Sequence, residues 1–141
     1  DVGDFNKSKN YHNDQWRAPH MSITEQLQNK FILSIEGNDV ATSTKWIMSS
    51  NSLCFMVKPK FETWFMEGQL IPNFHYVLIN DDYSNLKEKI NYYIINTEEA
   101  EDIIKNANNY VVQFMNNKSE DWLQLKILER YFHFSGQLEE I

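Results

Sequence analysis

The sequence predicts an α/β fold built on a parallel sheet, and three observations support this prediction. Three short apolar runs, at residues 30–36, 52–57 and 74–79, have the length and composition of strands. A strand of a parallel sheet is covered on both faces, so it is continuously apolar rather than alternating. Segments with helical spacing separate the three runs, as is typical of parallel sheets. A chain of 141 residues with 42% hydrophobic content is also large enough for one domain with its own core.

The first half of the chain is predicted to follow the order helix, strand, helix, strand. Residues 1–20 are polar and lack periodicity, so they are predicted to form an irregular arm. Residues 21–30 are predicted to be a short helix, because Ser22 at the N-cap and Glu25 three positions later make a capping box. Residues 42–50, between the first two strands, are predicted to be the second helix.

The second half is predicted to contain a short helix, the third strand and then three longer helices. The short helix covers residues 61–70, and Pro72 opens the turn before the strand. The next helix begins at Ser84. The one after it begins at Thr97, where an acidic first turn suits the positive end of the helix dipole. Residues 122–134 carry apolar side chains at helical spacing and are predicted to be the last helix.

Charge and cysteine content exclude several classes of protein. The net charge of −7 argues against a nucleic acid or anionic membrane bound through bulk charge. The single cysteine, Cys54, permits neither an internal disulfide nor a cysteine-based zinc site, and it is predicted to be a buried core residue. No apolar run has the roughly 18 residues of a membrane-spanning helix, and no signal peptide is recognisable. Because the sequence begins with Asp1, we expect a fragment or a processed piece.

The loop after the first predicted strand contains the residue types that a phosphate site needs. Gly37 would permit a sharp turn or a close approach of the backbone to a ligand. Thr42, Ser43 and Thr44 lie at the predicted helix start, where backbone N–H groups and the helix dipole attract anions. Lys45 adds a positive charge. The loop lacks the second glycine of a Walker A motif and is not GxGxxG, so an ordinary capped helix remains an alternative.

Other polar residues near the strand ends have simpler interpretations. His75, at the start of the third strand, is interpreted as a structural hydrogen-bonding residue. Asp81 and Asp82 follow that strand and are interpreted as a solvated turn. A receiver-like magnesium site is a weaker alternative there, because the first strand ends in the single acidic residue Glu36. Glu62 and Glu67 flank an aromatic cluster, where a carboxylate could bind sugar hydroxyls. The histidines show no metal-ligand spacing.

The order and spacing of several motifs resemble glycosyltransferase family 90. The motifs are a strand with a glycine-containing turn, a helix with a basic residue, an aromatic and acidic segment, L-x-P-x-x-H-Y, and A-x-x-I-x-x-x-A. The last two are present here as Leu70, Pro72, His75 and Tyr76, and as Ala100, Ile103 and Ala107. The resemblance covers residues 16–115 and is strongest to the bacterial branch. The family includes fungal capsule-associated proteins, animal protein O-glucosyltransferases and bacterial lipopolysaccharide glycosyltransferases.

The resemblance implies a fold and an activity. The resemblance implies that the chain belongs to a protein with a fold similar to GT-B, in which two Rossmann-like halves enclose a cleft. The C-terminal half of such a protein binds a nucleotide-sugar donor. Residues 1–20 would then be an arm or the remnant of an inter-domain segment, and residues 21–141 the donor-binding domain. The implied reaction moves a sugar from a UDP-sugar to a glycan acceptor, in lipopolysaccharide or surface glycan synthesis. The N-terminal half, with the acceptor contacts and the catalytic carboxylate, would be missing. The chain alone is therefore expected to be inactive, and no catalytic residue is assigned.

The resemblance also implies roles for the candidate residues. The loop after the first strand becomes the donor diphosphate site, with backbone N–H groups at the helix start and Lys45 acting on the leaving UDP. Glu62 is the candidate for the ribose hydroxyls, and Asn38 and Asp39 for the donor sugar or the uracil. Eukaryotic members carry an arginine where Ser43 stands here, so the cation that contacts the diphosphate remains open. No metal or cofactor is expected.

One alternative to an enzyme remains open from the sequence. It is a non-catalytic Rossmann-like module that binds a nucleotide-sugar or a protein partner. A longer parent with an aspartate over the cleft would favour the enzyme, whereas a native chain of this length would favour the module. The expected location is the cytoplasm, either free or peripheral to the inner membrane.

Overall fold

The computed structural model describes residues 19–137, and these form a parallel sheet with helices around it. The predicted order of helices and strands is confirmed, apart from the short helix before the third strand. The elements are α1 (Ile23–Gln26), β1 (Phe31–Leu33), α2 (Ser43–Met48), β2 (Leu53–Met56), a 3₁₀ turn (Glu67–Gln69), β3 (Val77–Leu78), α3 (Leu86–Ile95), α4 (Thr97–Val112) and α5 (Asn117–Phe134). Residues 1–18, most of the predicted arm, lie outside the described residues.

The sheet has three strands in the order β1-β2-β3, and both neighbouring pairs are parallel. Phe55 in the central strand lies opposite Leu33 on one side and Val77 on the other. Every residue of β2 is buried, as expected for a strand covered on both faces. The predicted α/β class with a parallel sheet is therefore confirmed, although each strand is shorter than its apolar run.

Helices cover both faces of the sheet. Successive strand residues point to opposite faces, so Cys54 and Met56 belong to one apolar cluster while Leu53 and Phe55 belong to the other. Helix α2 packs in the first cluster, α3 packs in the second, and α4 contributes side chains to both. The predicted burial of Cys54 is confirmed, and burial raises the pKa of its thiol to about 12.

Helix starts follow local capping rules in two places. The predicted capping box of α1 is confirmed: the Ser22 hydroxyl accepts from the Glu25 N–H at 3.3 Å, and the Glu25 carboxylate accepts from the Ser22 N–H at 2.7 Å. The Asn116 side chain accepts from the Ser119 N–H at 3.3 Å at the start of α5. The first N–H groups of a helix have no backbone acceptor within the helix, and the N-cap side chain supplies one.

The predicted helix over residues 61–70 is wrong. This segment contains only the 3₁₀ turn Glu67–Gln69. Met66 lies in the left-handed region with φ 54°, which an α-helix cannot contain. The Thr63 N–H donates to a side chain, the Glu67 carboxylate, at 2.7 Å. The segment is a folded loop in which the ring of Phe65 is buried and packs against Tyr110 of α4.

Candidate functional site

A small pocket, here called the strand-end pocket, opens where β1 and β2 end. It is lined by Ser34, Glu36, Val40, Ala41, Thr44, Met56, Val57, Pro59 and Glu67. In open parallel sheets, ligands bind beyond the carboxyl ends of the strands. The pocket therefore lies where the fold class predicts a ligand site, and the loop of candidate residues forms one of its walls.

Three hydroxyl groups join β1 to α2 at the base of this pocket. The Ser34 hydroxyl is 2.7 Å from the Thr44 hydroxyl and 3.2 Å from the Ser43 hydroxyl. Ser34 and Thr44 are buried, and the Thr44 N–H donates to the carbonyl of Ala41 at 3.1 Å. Both polar groups of Thr44 are thus used inside the protein. Thr44 holds α2 against the strand rather than presenting a donor to a ligand.

The start of α2 keeps two backbone donors for a ligand. Thr42 is exposed, adopts φ −59° and ψ −24°, and makes no side-chain cap. Within residues 19–137, no hydrogen-bond acceptor is found for the N–H of Thr42 or of Ser43. These two N–H groups lie between the pocket-lining residues Ala41 and Thr44 in sequence, so an anion beside the pocket could accept from them.

The loop between β1 and α2 is exposed at its tip, at Gly37, Asn38 and Asp39. The Gly37 N–H donates to the carbonyl of Asp39 at 3.2 Å, and the Asp39 carboxylate accepts from the Val40 N–H at 2.7 Å. Gly37 has no positive φ, and an added Cβ would meet nothing within 4 Å. The backbone therefore does not require glycine here. A close approach to a ligand remains a prediction.

Lys45 is held in an ion pair beside the strand-end pocket. Its Nζ lies 3.2 Å from Oε1 of Glu67, and 5.5 Å and 5.4 Å from the ring centroids of Trp64 and Phe65. These distances permit cation–π attraction to both rings. The Lys45 side chain keeps 24% of its surface exposed, whereas that of Glu67 keeps 4%. The cation therefore sits at the boundary between the protein interior and solvent.

Glu67, the second carboxylate beside the aromatic cluster, lies in the wall of the strand-end pocket. Its carboxylate accepts the Thr63 N–H at 2.7 Å and the Thr63 hydroxyl at 2.9 Å and 3.1 Å. Burial acts to raise the pKa of Glu67, but hydrogen bonds from Thr63 and Lys45 outweigh it, so the pKa lies below its ordinary value. Glu67 is thus ionised at neutral pH.

Glu62, the predicted ribose ligand, lies beside the pocket rather than in its wall. Its side chain is exposed and packs over Gly68, where an added Cβ would meet Oε1 of Glu62 at 3.0 Å. Glu62 is not among the described residues that line the strand-end pocket. Its role toward a ligand stays a prediction.

His75 has the structural role that was predicted. It is buried, and its Nδ1 accepts the N–H of Ile71 at 2.9 Å across the turn before β3. The centroid of its ring also lies 5.1 Å from the ring centroid of Tyr110. Burial lowers the pKa of His75, so the neutral form is favoured. A neutral imidazole that accepts a backbone N–H fits a residue that fixes a turn.

The acidic residues near the strand ends are bonded to Lys60 or to Ser84. Glu36 accepts the backbone N–H of Lys60 at 3.1 Å, and Asp81 lies 3.2 Å from the Lys60 ammonium. Asp82 accepts the N–H of Ser84 at 3.0 Å. Within the part of the chain that the structure describes, no three His, Cys, Asp or Glu side chains are grouped to hold a metal. The pair Asp81 and Asp82 forms a solvated turn, as predicted.

Comparisons with known proteins identify the family. The model of glycosyl transferase family 90 matches residues 4–135. The O-glucosyltransferase LpsA of Dichelobacter nodosus is 47% identical over 125 residues, which cover 89% of this chain. The chain spans 38% of the length of that relative. No helix among residues 19–137 is long and apolar enough to cross a membrane. The chain belongs to glycosyl transferase family 90.

Proposed function

We propose that this chain is the donor-binding part of a glycosyltransferase that moves a sugar from a UDP-sugar to a glycan acceptor. Membership of family 90 supports the reaction class. The relative is named an O-glucosyltransferase, so glucose is the first sugar to test. We further propose that the reaction belongs to the synthesis of lipopolysaccharide or another surface glycan, and that the chain works in the cytoplasm, free or at the inner membrane.

The proposed place of the chain in its enzyme is the C-terminal half of a GT-B fold. A parallel sheet with helices on both faces and a pocket at the strand ends supports this. The relative extends well beyond the matched region, which leaves room for an N-terminal half with the acceptor contacts and the catalytic carboxylate. The proposed partners are therefore the UDP-sugar, the glycan acceptor and that N-terminal half.

The observation that carries the proposal is the set of donors beside the strand-end pocket. The N–H groups of Thr42 and Ser43 would bind phosphate oxygens, and Lys45 would offset the negative charge that develops on the leaving UDP. Charge stabilisation of this kind is often the largest single term in catalysis. Thr44 is given a structural role here, because its N–H and hydroxyl are already bonded within the protein.

Three further residues complete the proposed donor site. Asn38 and Asp39 would face the donor sugar or the uracil, because both are exposed at the tip of the loop between β1 and α2. Glu62 would accept the ribose hydroxyls from its position beside Gly68. The proposal includes no metal ion.

Titration of UDP and UDP-glucose into this chain tests the proposed site. We expect a dissociation constant of about 0.1–1 mM, equivalent to roughly −4 to −5.5 kcal/mol, for half of a cleft. Lys45→Met should weaken binding about tenfold, because it removes a charged hydrogen bond. Thr42→Pro should also weaken it, because proline lacks the N–H but fits the φ of −59°.

The matched control is Lys60→Met, since Lys60 is an exposed lysine paired with Asp81. It should leave UDP binding unchanged. Equal binding by wild type, Lys45→Met and Thr42→Pro would place the nucleotide elsewhere. If the well-folded chain does not bind, the titration is repeated with the full-length protein. Absence of UDP binding there would refute the proposed function.

A further inference from the structure

We propose that Glu67 is the positioning residue of Lys45, holding the lysine ammonium as a fixed cation at the edge of the strand-end pocket. The inference rests on the proposed function, because it concerns how the cation of the donor site is presented. Glu67 itself would not contact the donor. Its effect would pass through Lys45.

The Glu67 carboxylate is a rigid anchor. Oε2 accepts the Thr63 N–H at 2.7 Å, and both oxygens lie within hydrogen-bond distance of the Thr63 hydroxyl. The main-chain donor and the hydroxyl come from one residue, so they fix the plane of the carboxylate as well as its place. Hydrogen bonds to an ionised carboxylate are about twice as strong as neutral ones. Oε1 is thereby held where it meets Lys45.

Lys45 needs such an anchor to occupy one position. Its ammonium is a point charge at the end of a flexible four-carbon chain. Glu67 lies on one side at 3.2 Å, and the rings of Trp64 and Phe65 are close enough to restrict the side chain further. An ammonium ordered before the ligand arrives binds better than one that the ligand must order.

The ion pair leaves Lys45 able to bind an anion. An ammonium has three N–H donors, and Lys45 gives one of them to Glu67. Its side chain is still 24% exposed, while Glu67 is nearly fully covered. Lys45 therefore balances the negative charge of Glu67, which the hydrogen bonds from Thr63 also stabilise, and the other two lysine donors have no acceptor among the described residues. Positioning should outweigh repulsion between Glu67 and a phosphate.

The first test measures the order of Lys45 without any ligand. Reductive methylation labels lysine amines, and mass spectrometry reads the labelling rate at each site. Lys45 should be labelled at least several-fold more slowly than Lys60, whose side chain is 61% exposed. Glu67→Gln should raise the Lys45 rate toward that of Lys60. Asp81→Asn, which breaks the exposed pair at the same 3.2 Å distance, should leave the Lys45 rate unchanged.

The second test is a double-mutant cycle on UDP binding, followed by NMR because dissociation constants will reach the millimolar range. Glu67→Gln alone should weaken UDP binding about tenfold, and it should have no effect in a Lys45→Met background. An equal loss in both backgrounds would show that Glu67 acts by itself. Tighter binding in Glu67→Gln would show that it competes with the ligand. Either result overturns the proposal.

The two tests separate this inference from the proposed function. If the wild-type chain and full-length protein bind no UDP, the proposed function fails, but the labelling rates still decide whether Glu67 orders Lys45. If Glu67→Gln leaves the Lys45 labelling rate unchanged while UDP binds normally, the positioning role is wrong and the proposed function stands. Circular dichroism melting of each variant confirms that the fold is intact.

Discussion

Strand β2 and helix α5 are both rich in apolar residues, but they have opposite surroundings. All four residues of β2, Leu53–Met56, are buried, whereas α5, Asn117–Phe134, contains no buried residue. The contrast is clear in two phenylalanines: Phe55 is 1% exposed and Phe134 is 75% exposed. Apolar composition therefore predicts that a segment needs a partner, but it does not identify the partner.

The arrangement of side chains explains why α5 differs from the other long helices. At 100° per residue, the apolar side chains from the middle of α5 to its end cover an arc of about 200°. These side chains are Leu123, Leu125, Ile127, Leu128, Tyr131, Phe132 and Phe134, all of them exposed. In α4, by contrast, Ala100, Ile103, Ala107 and Val111 form one buried stripe. A narrow stripe is covered by one sheet, whereas a wide apolar arc is typical of a helix with several neighbours.

The largest predicted effect comes from a substitution in the buried strand. Phe55→Ala should lower the free energy of unfolding by about 3–5 kcal/mol, because it leaves a cavity between β1, β3 and α3. The matched change Phe134→Ala in α5 should lower the free energy of unfolding by less than about 0.5 kcal/mol. Urea denaturation followed by circular dichroism measures both. Similar losses of stability for the two variants would mean that α5 is packed in solution. The difference between β2 and α5 would then not hold.

A second prediction concerns a polar atom inside the core. The hydroxyl of Tyr76 is buried and has no hydrogen-bond partner among the described residues. Burial, with a smaller effect from nearby Cys54, raises the pKa of Tyr76 to about 12. Tyr76→Phe should leave the free energy of unfolding unchanged or raise it by about 1 kcal/mol, because it removes an unsatisfied group.

Tyr93→Phe is the control for that change. Tyr93 is also buried, but its hydroxyl lies 3.4 Å from a carboxylate oxygen of Glu99. Loss of this bond should lower stability by about 0.5–1 kcal/mol, the opposite sign. A loss of stability in Tyr76→Phe similar to that in Tyr93→Phe would show that the Tyr76 hydroxyl has a partner in solution.

The third prediction is a smaller effect that depends on pH. Burial lowers the pKa of His75 below its ordinary value of 6.5, so the folded state takes up this proton less readily than the unfolded state. Stability should therefore be constant above about pH 7 and should fall as the pH drops below 6.5 toward the folded pKa. His75→Asn keeps an acceptor for the Ile71 N–H without a titrating ring. Urea denaturation from pH 5 to 8 should give a flatter curve for this variant, and two parallel curves would contradict the prediction.

Local patterns in the sequence were sufficient for much of the fold. The capping box of Ser22 and Glu25 depends on residues three positions apart, and the structure has it as predicted. The burial of Cys54 follows from a continuous apolar run, which only a covered strand can use. Apart from the helix predicted over residues 61–70, the order and type of the elements follow from the same short-range signals. Strand ends do not, because they depend on how far each neighbour extends.

The contacts of Lys45 could not be predicted in the same way. Lys45 itself was singled out from its position at a strand-to-helix turn, but its partner Glu67 lies 22 positions away. Glu67 directly follows the left-handed backbone at Met66, a conformation that no sequence period indicates. Glu62, the carboxylate chosen by analogy, lies beside the pocket instead. Sequence patterns locate this loop, whereas its tertiary folding decides which carboxylate meets the lysine.

The smallest predicted effect tests the exposed face of α5 directly. Ile127→Gln together with Tyr131→Gln should change the free energy of unfolding by less than about 0.5 kcal/mol, since both side chains are exposed and glutamine is a good helix former. Helix content measured by circular dichroism at 222 nm should also stay the same. A loss above about 1 kcal/mol would mean that this face is covered in solution. If the wild-type midpoint then rises with protein concentration and that of the variant does not, a second copy of the chain covers it, because only association links stability to concentration.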